Sequence, residues 1–235
     1  MNLKNYNRRV YLRITNICNK ACDFCFYRNE TAPKAFMTLD TVKQIIQQEY
    51  AQHDFSKGPL YVQLTGGEPS LHPQLSEIIQ LILSYADIQL YMETNGSNLK
   101  NHDYLQLFKR FPNKIHIKIS MNTELITPES EWLENVLYLR ACQLPVTFTF
   151  MARYKTEEDK KFLEQLIEEN NLNWKFLYPI DYNRDYINGK TNRIQSCIIY
   201  TVDGTVLVDM TKKNKKGDQQ NYGEDQSTCV SEAYK

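Results

Sequence analysis

Cys18, Cys22 and Cys25 fall within eight positions of one stretch, NICNKACDFCFYRN at residues 16–29. They stand among Asn, Lys and Asp, not inside an apolar run, which separates them from ordinary core thiols. Three thiolates on a loop can hold three corners of a cubane iron–sulfur cluster and leave its fourth iron without a protein ligand. An open metal position marks a catalytic centre, whereas a filled ligand set marks a structural one. Zinc fits less well, because the nearest histidine in sequence, His53, lies inside the first predicted helix and no compact fourth ligand is present. A redox dithiol would use Cys22 and Cys25, but Cys18 is then surplus and a long polar stretch precedes the next helix.

The elements that must position this loop follow from periodicity. RVYLRIT (9–15) reads as a β-branched, aromatic-rich strand running straight into the cysteines. Val42, Ile45 and Ile46 then mark a helix, and PLYVQLTGGEP a second strand. Helical stripes around 75–83, 101–110, 132–137 and 162–167 alternate with strands in DIQLYMETNG, KIHIKISMN, LPVTFTFMAR and WKFLYPI. Six strand units separated by helices imply a parallel α/β sheet with right-handed crossovers. A closed eight-stranded barrel typically takes about 250 residues, so a partial (β/α)6 TIM-like barrel suits this chain of 235 better. Its working edge is the set of loops after the strands' C-terminal ends. That rule selects the cysteines, TGGEP (65–69), ETNG (93–96), Ser120 with Asn122, and Arg153.

The last fifty residues break the alternation. CIIYTVDGTVLVDM reads as a β-hairpin turning at Asp203-Gly204, and a polar tail follows. The expected division is a core domain over 1–182 and a small C-terminal β-hairpin extension over 183–235. KKNKK at 212–216 reads as a solvated turn.

Equal numbers of basic and acidic residues, 28 each, give a formal net charge of zero and no basic nucleic-acid footprint. The N-terminal stretch has no apolar signal region, and no run is long enough to span a membrane. A cytoplasmic location is expected, without disulfide staples.

CNKACDFC is C-x3-C-x2-C directly after a first strand, and it resembles the cluster motif of the radical S-adenosylmethionine (AdoMet) superfamily. LTGGEPSLHP (64–73), METNG (92–96) and IKISMN (117–122) resemble that superfamily's later strand-end motifs, in order. The resemblance implies that Cys18, Cys22 and Cys25 ligate a single [4Fe–4S] cluster whose open iron chelates AdoMet. It implies an adenine-side position for Phe24 and a seat for the methionine amino group at Gly66, Gly67 and Glu68. Thr94 and Asn95 would form pocket wall. Ser120 and Asn122 would lie near the ribose or methionyl carboxylate, with Arg153 pairing that carboxylate. An external one-electron reductant of flavodoxin or ferredoxin type would reduce the cluster. Reductive cleavage of AdoMet would then give a 5'-deoxyadenosyl radical that takes a substrate hydrogen.

The hairpin resembles the start of a C-terminal extension found in peptide-modifying members, but only Cys197 and Cys229 remain there, too few for a second all-cysteine cluster. Cys197 is a candidate hydrogen-atom donor. The first expectation is therefore modification of a ribosomally made peptide, of maturase or epimerase type. The alternative is a small metabolite of nucleotide, cofactor or sugar metabolism.

Overall fold

The computed structural model describes residues 9–22, 25, 33–127, 130–144, 147–172, 174–179 and 197–209. Among these described residues the α-helices and strands follow in order: β1 (Arg9–Thr15), α1 (Leu39–Gln52), β2 (Leu60–Gly66), α2 (Leu75–Leu83), β3 (Ile88–Thr94), α3 (His102–Arg110), β4 (Ile115–Met121), α4 (Trp132–Ala141), β5 (Thr147–Tyr154), α5 (Glu157–Glu169), β6 (Trp174–Pro179), β7 (Cys197–Tyr200) and β8 (Val206–Asp209). The six strands β1 to β6 lie side by side in sequence order and pair in parallel. With their flanking helices they form the partial (β/α) TIM-like barrel that the periodicity predicts. Among the described residues, no helix is long and apolar enough to cross a membrane.

Strand alternation gives the sheet two faces. Val10, Leu12 and Ile14 of β1, Val62 and Leu64 of β2, and Ile117 and Ile119 of β4 join one continuous core with α1 and α2. That face carries the hydrophobic stabilisation of the domain. The opposite face takes Arg9, Tyr11, Arg13, Gln63 and Lys118, polar side chains that are nonetheless mostly buried. Helix starts are fixed locally: Thr38 accepts from Thr41 N at 3.1 Å before α1, and Thr156 with Asp159 closes a capping box before α5.

The hairpin forms as expected, with Gly204 at φ 84° in its turn. Its position was not expected. β7 pairs in parallel with β1, so the hairpin extends the barrel sheet to eight strands. Contacts with α1 hold it there, among them Gln48 Nε2 donating to the Tyr200 hydroxyl at 3.5 Å. The Tyr200 hydroxyl donates to the buried Glu49 carboxylate at 2.6 Å, and a β-carbon on Gly204 would sit 2.7 Å from Thr41 Cγ2.

The register also corrects one expectation. Cys197 pairs with Arg9, the first residue of β1, and the strands run in the same direction. The cysteine loop leaves the other end of β1, six residues on, which is about 20 Å at the usual strand rise. Cys197 therefore starts its strand at the wrong end of the sheet to give a hydrogen atom at the working edge. Phe24, the KKNKK run and Cys229 lie outside the described residues.

If Tyr200 docks the hairpin, Tyr200→Phe should lower stability by about 1–3 kcal/mol, the cost of leaving a buried acceptor without its donor. A denaturant midpoint unchanged from the parent would remove Glu49 from that role.

Candidate active site

The cysteine loop is held by backbone first. Beyond the end of β1, Gly67 N donates to Thr15 O and Glu68 N to Ile17 O, both at 2.8 Å. The β2 end thus continues pairing with the chain that leads into Cys18. Glycine is required at both positions by space. A β-carbon on Gly66 would lie 2.0 Å from Thr15 O, and one on Gly67 would lie 2.1 Å from Ile17 O. Gly66 also has φ +135°, a conformation that L side chains rarely adopt.

The chain returns past the same strand end after the loop. Met37 N donates to Ile14 O at 2.7 Å, and Thr15 Oγ1 to Ala35 O at 3.0 Å. Asn16 closes this return, giving Nδ2 to Pro33 O and taking Ala35 N on Oδ1. His72 lies buried beneath, with one ring nitrogen accepting from Gln74 N and the other 2.9 Å from Met37 O. Its role is structural.

Glu68 is the second fastening. Its fully buried carboxylate accepts from Ser70 N at 3.0 Å, Thr94 Oγ1 at 2.7 Å and Asn95 N at 2.7 Å. Burial pushes its carboxyl above the ordinary carboxylate range, and the three donors work against that shift. The expected seat for an ammonium is thus committed to joining the ends of β2 and β3. Asn95, so fixed, gives Nδ2 to Asn19 Oδ1 at 2.8 Å and lies 3.8 Å from Cys18 Sγ. Asn19 in turn donates to Ser97 Oγ at 2.8 Å. From α4, Trp132 Nε1 donates to Ser120 O at 3.1 Å, and Asn135 Nδ2 reaches Gly96 O at the same distance.

At the end of β4, Asn122 turns the chain by accepting from Glu124 N and Leu125 N on Oδ1. Its Nδ2 is buried and has no hydrogen-bond partner among the described residues. Arg153 is half-buried near the end of β5, level with Tyr178 of β6.

Among the described residues, no three His, Cys, Asp or Glu side chains close into a single-ion site. The electrostatics bear on what the thiols can hold. Burial, then the charges of Glu124, Cys18 and Cys25, push the Cys22 thiol up to about 12. Neighbouring thiols that resist ionising together need a strong cation, and a bound metal deprotonates a coordinating thiol outright. The donor set, the glycine cradle and the orphaned Asn122 amide are therefore compatible with a cluster and a polar co-ligand.

Sequence periodicity did not mark Asn16, Asn19, Ser97 or Glu124 as site residues. Asn19 lies inside the cysteine motif and Ser97 directly after ETNG, so motif position alone could have raised both. Glu124 forms an ion pair with Lys155, and nothing in the local sequence shows its approach to Cys22.

Gly67→Ala would force the Ile17 carbonyl away from the β2 end. The variant should retain the barrel's helical circular dichroism and lose cluster incorporation severalfold on anaerobic reconstitution. Full incorporation would show that the glycine clamp does not set the loop.

The comparisons with known proteins extend the geometry. The radical SAM superfamily model matches residues 12–166. The GTP 3',8-cyclase of Tolumonas auensis is 31% identical over 150 residues, which is 59% of this chain and 42% of that protein. The chain thus spans less than half the length of this curated relative. BtrN in complex with AdoMet and 2-DOIA shares the fold at TM-score 0.55 and 14% identity, covering 94% of this chain and 80% of that one. SuiB of Streptococcus suis bound to its precursor peptide SuiA does so at TM-score 0.59 and 11% identity, covering 96% and 65%. Since the family match runs through more than half of the chain and across all four strand-end motifs, this protein is an enzyme of the radical SAM superfamily.

Proposed function

We propose that this enzyme acts on a small metabolite. The observation that carries this reading is the inner face of the sheet, where Gln63 and Lys118 are buried and joined by a hydrogen bond of 3.1 Å. Converging, enclosed polar groups suit a small molecule held within a barrel. A peptide needs an accessible groove or strand edge. The hairpin, which favoured a peptide on sequence grounds, is committed to extending the sheet beside β1. The 31% identity to a cyclase named for GTP supports the same direction, while the likeness to the peptide-bound SuiB reaches only the fold.

In this reading Cys18, Cys22 and Cys25 would hold the one [4Fe–4S] cluster, and residues at the ends of β2 to β5 would line the AdoMet pocket. When bound, the pair supplies a carbon radical able to take hydrogen from an unactivated C–H bond. The chain's own part is binding, orientation and exclusion of water. Gly66 and Gly67 bring the β2 backbone close to the cysteine loop. Thr94 and Asn95 wall the pocket, with Glu68 behind them as their anchor. Ser120 and Asn122 offer polar atoms at the β4 end, and Arg153 suits a carboxylate through its planar fork of donors. A flavodoxin or ferredoxin is the reductant.

Two experiments test this. Cys18→Ala, Cys22→Ala and Cys25→Ala should each abolish the cluster's visible absorbance and all cleavage of AdoMet, and parent protein should bind about one cubane per chain. Cleavage surviving any of the three would remove that cysteine from the cluster. Reconstituted enzyme with AdoMet and dithionite should release 5'-deoxyadenosine faster when an ultrafiltered small-molecule fraction of a bacterial extract is added. Stimulation confined to the macromolecular fraction would overturn the small-metabolite reading.

A further inference from the structure

A barrel of this type is normally filled inside by branched apolar side chains. Here those residues lie on the helix side, and the inner positions of β1 to β4 are polar. Arg9 and Arg13 come from β1 and Lys118 from β4, while Glu93 is the single carboxylate among the described inner positions of these four strands. Among those described positions three cations stand against one anion, Glu93, which lies in register with Lys118 and accepts from Thr65 Oγ1 at 3.2 Å.

The hydrogen bonds add a sign to that count. Gln63, fully buried on β2, points its amide oxygen at two cations: Lys118 Nζ at 3.1 Å and Arg9 Nη1 at 3.5 Å. The Lys118 ammonium lies 5.2 Å from the centre of the Tyr91 ring and the Arg9 guanidinium 4.9 Å from it. Turning the oxygen inward to these cations leaves the other end of the amide. Gln63 Nε2 is buried and has no hydrogen-bond partner among the described residues. Lysine and arginine carry donors and no acceptor. With the Gln63 oxygen already engaged, the donor left over for a ligand in this cluster is Gln63 Nε2. A buried unsatisfied donor costs about 1–3 kcal/mol, which a ligand that accepts from it would recover.

We infer that the inner face between β1 and β4 holds an oxyanion of the substrate, phosphoryl or carboxylate, on Lys118 and Gln63 Nε2. This rests on the small-metabolite reading and names the substrate class. Lys118 sits two residues before Ser120 and four before Asn122, about 7 and 13 Å below the working edge at the usual strand rise. A substrate anchored there by its charged end presents its far end to the edge where the hydrogen is taken. Binding energy from the remote anion then orients the reacting carbon.

The test uses the reconstituted enzyme with AdoMet and two probes, inorganic pyrophosphate and malonate, titrated calorimetrically at low and high potassium chloride. At least one probe should bind, and more weakly as salt rises. Lys118→Met should weaken that probe by roughly tenfold or more, the loss of one charge-assisted hydrogen bond. Lys118→Arg should restore most of it. Removing one buried charge beside Glu93, which is in register with Lys118, can destabilise the fold, so circular dichroism and melting must first show Lys118→Met folded, and the parent's salt dependence needs no variant at all. Preference for pyrophosphate assigns the site to phosphoryl groups, and preference for malonate assigns it to carboxylates. No binding of either probe by the parent, or binding undiminished in Lys118→Met, overturns the inference. Passing the stimulating small-molecule fraction over an anion exchanger separates the two readings. Stimulation that flows through unretained overturns the oxyanion site and leaves the small-metabolite reading standing.

Discussion

The carbonyl oxygens of Thr15 and Ile17 occupy the space where β-carbons on Gly66 and Gly67 would have to be. This close approach is what the rest of the site depends on. It lets the β1–β2 pairing run past the end of the sheet, so that the first residues of the cysteine loop are held by two backbone hydrogen bonds. A loop carrying three metal ligands must be ordered before a metal arrives, or binding must supply the ordering entropy. Here the order comes from the main chain, and side chains refine it.

Glu68 follows directly from that contact. Its backbone N–H belongs to the pairing with Ile17, which fixes its side chain against the β3 end. A carboxylate there is costly to bury, and it is tolerated because backbone N–H groups of two different segments and one hydroxyl all point at it. The same charge places Asn95, and Asn95 reaches across to Asn19 within the cysteine loop. Strand ends β1, β2 and β3 are therefore coupled through one buried anion. Trp132 and Asn135 extend the coupling to β4 by way of α4. Residues acting through others in this way are positioning residues, and removing one disturbs several contacts at once.

The strands and helices were legible because each is a local pattern. Val42, Ile45 and Ile46, or Leu75, Ile78, Ile79 and Ile82, state a buried helical face without help from elsewhere. The cysteine spacing and the glycine pair were equally legible as motifs. What the glycines do was less so, since a motif does not reveal which backbone lies against it, and the two carbonyls come from residues fifty positions away. Glu68 was read as a ligand contact, and its three donors come from the chain itself. The hairpin was legible as a hairpin, through Asp203-Gly204. Its place beside β1 depends on Tyr200 meeting Glu49, a contact over 151 positions. Cys197 fails as a donor at the working edge for the same reason: direction along a sheet is a tertiary fact that hydropathy does not carry.

The division of the sheet into an apolar outer face and a polar inner one explains how a short chain can hold so many buried polar groups. Strands β1 to β4 each contribute Val, Leu, Ile or Met to a single core beneath α1 to α5, and folding is driven from that side. The inner face is then free of the need to stabilise the fold by apolar packing. It can keep Gln63 and Lys118 buried with donors facing inward, an arrangement that would be hard to hold in a domain with only one core-forming surface. Extending the sheet with β7 adds Ile198 and Tyr200 to the outer core. The hairpin thereby strengthens the face that carries stability, at the strand whose other end carries the cysteines. Stability and chemistry are in this way assigned to opposite sides and opposite ends of the same strands.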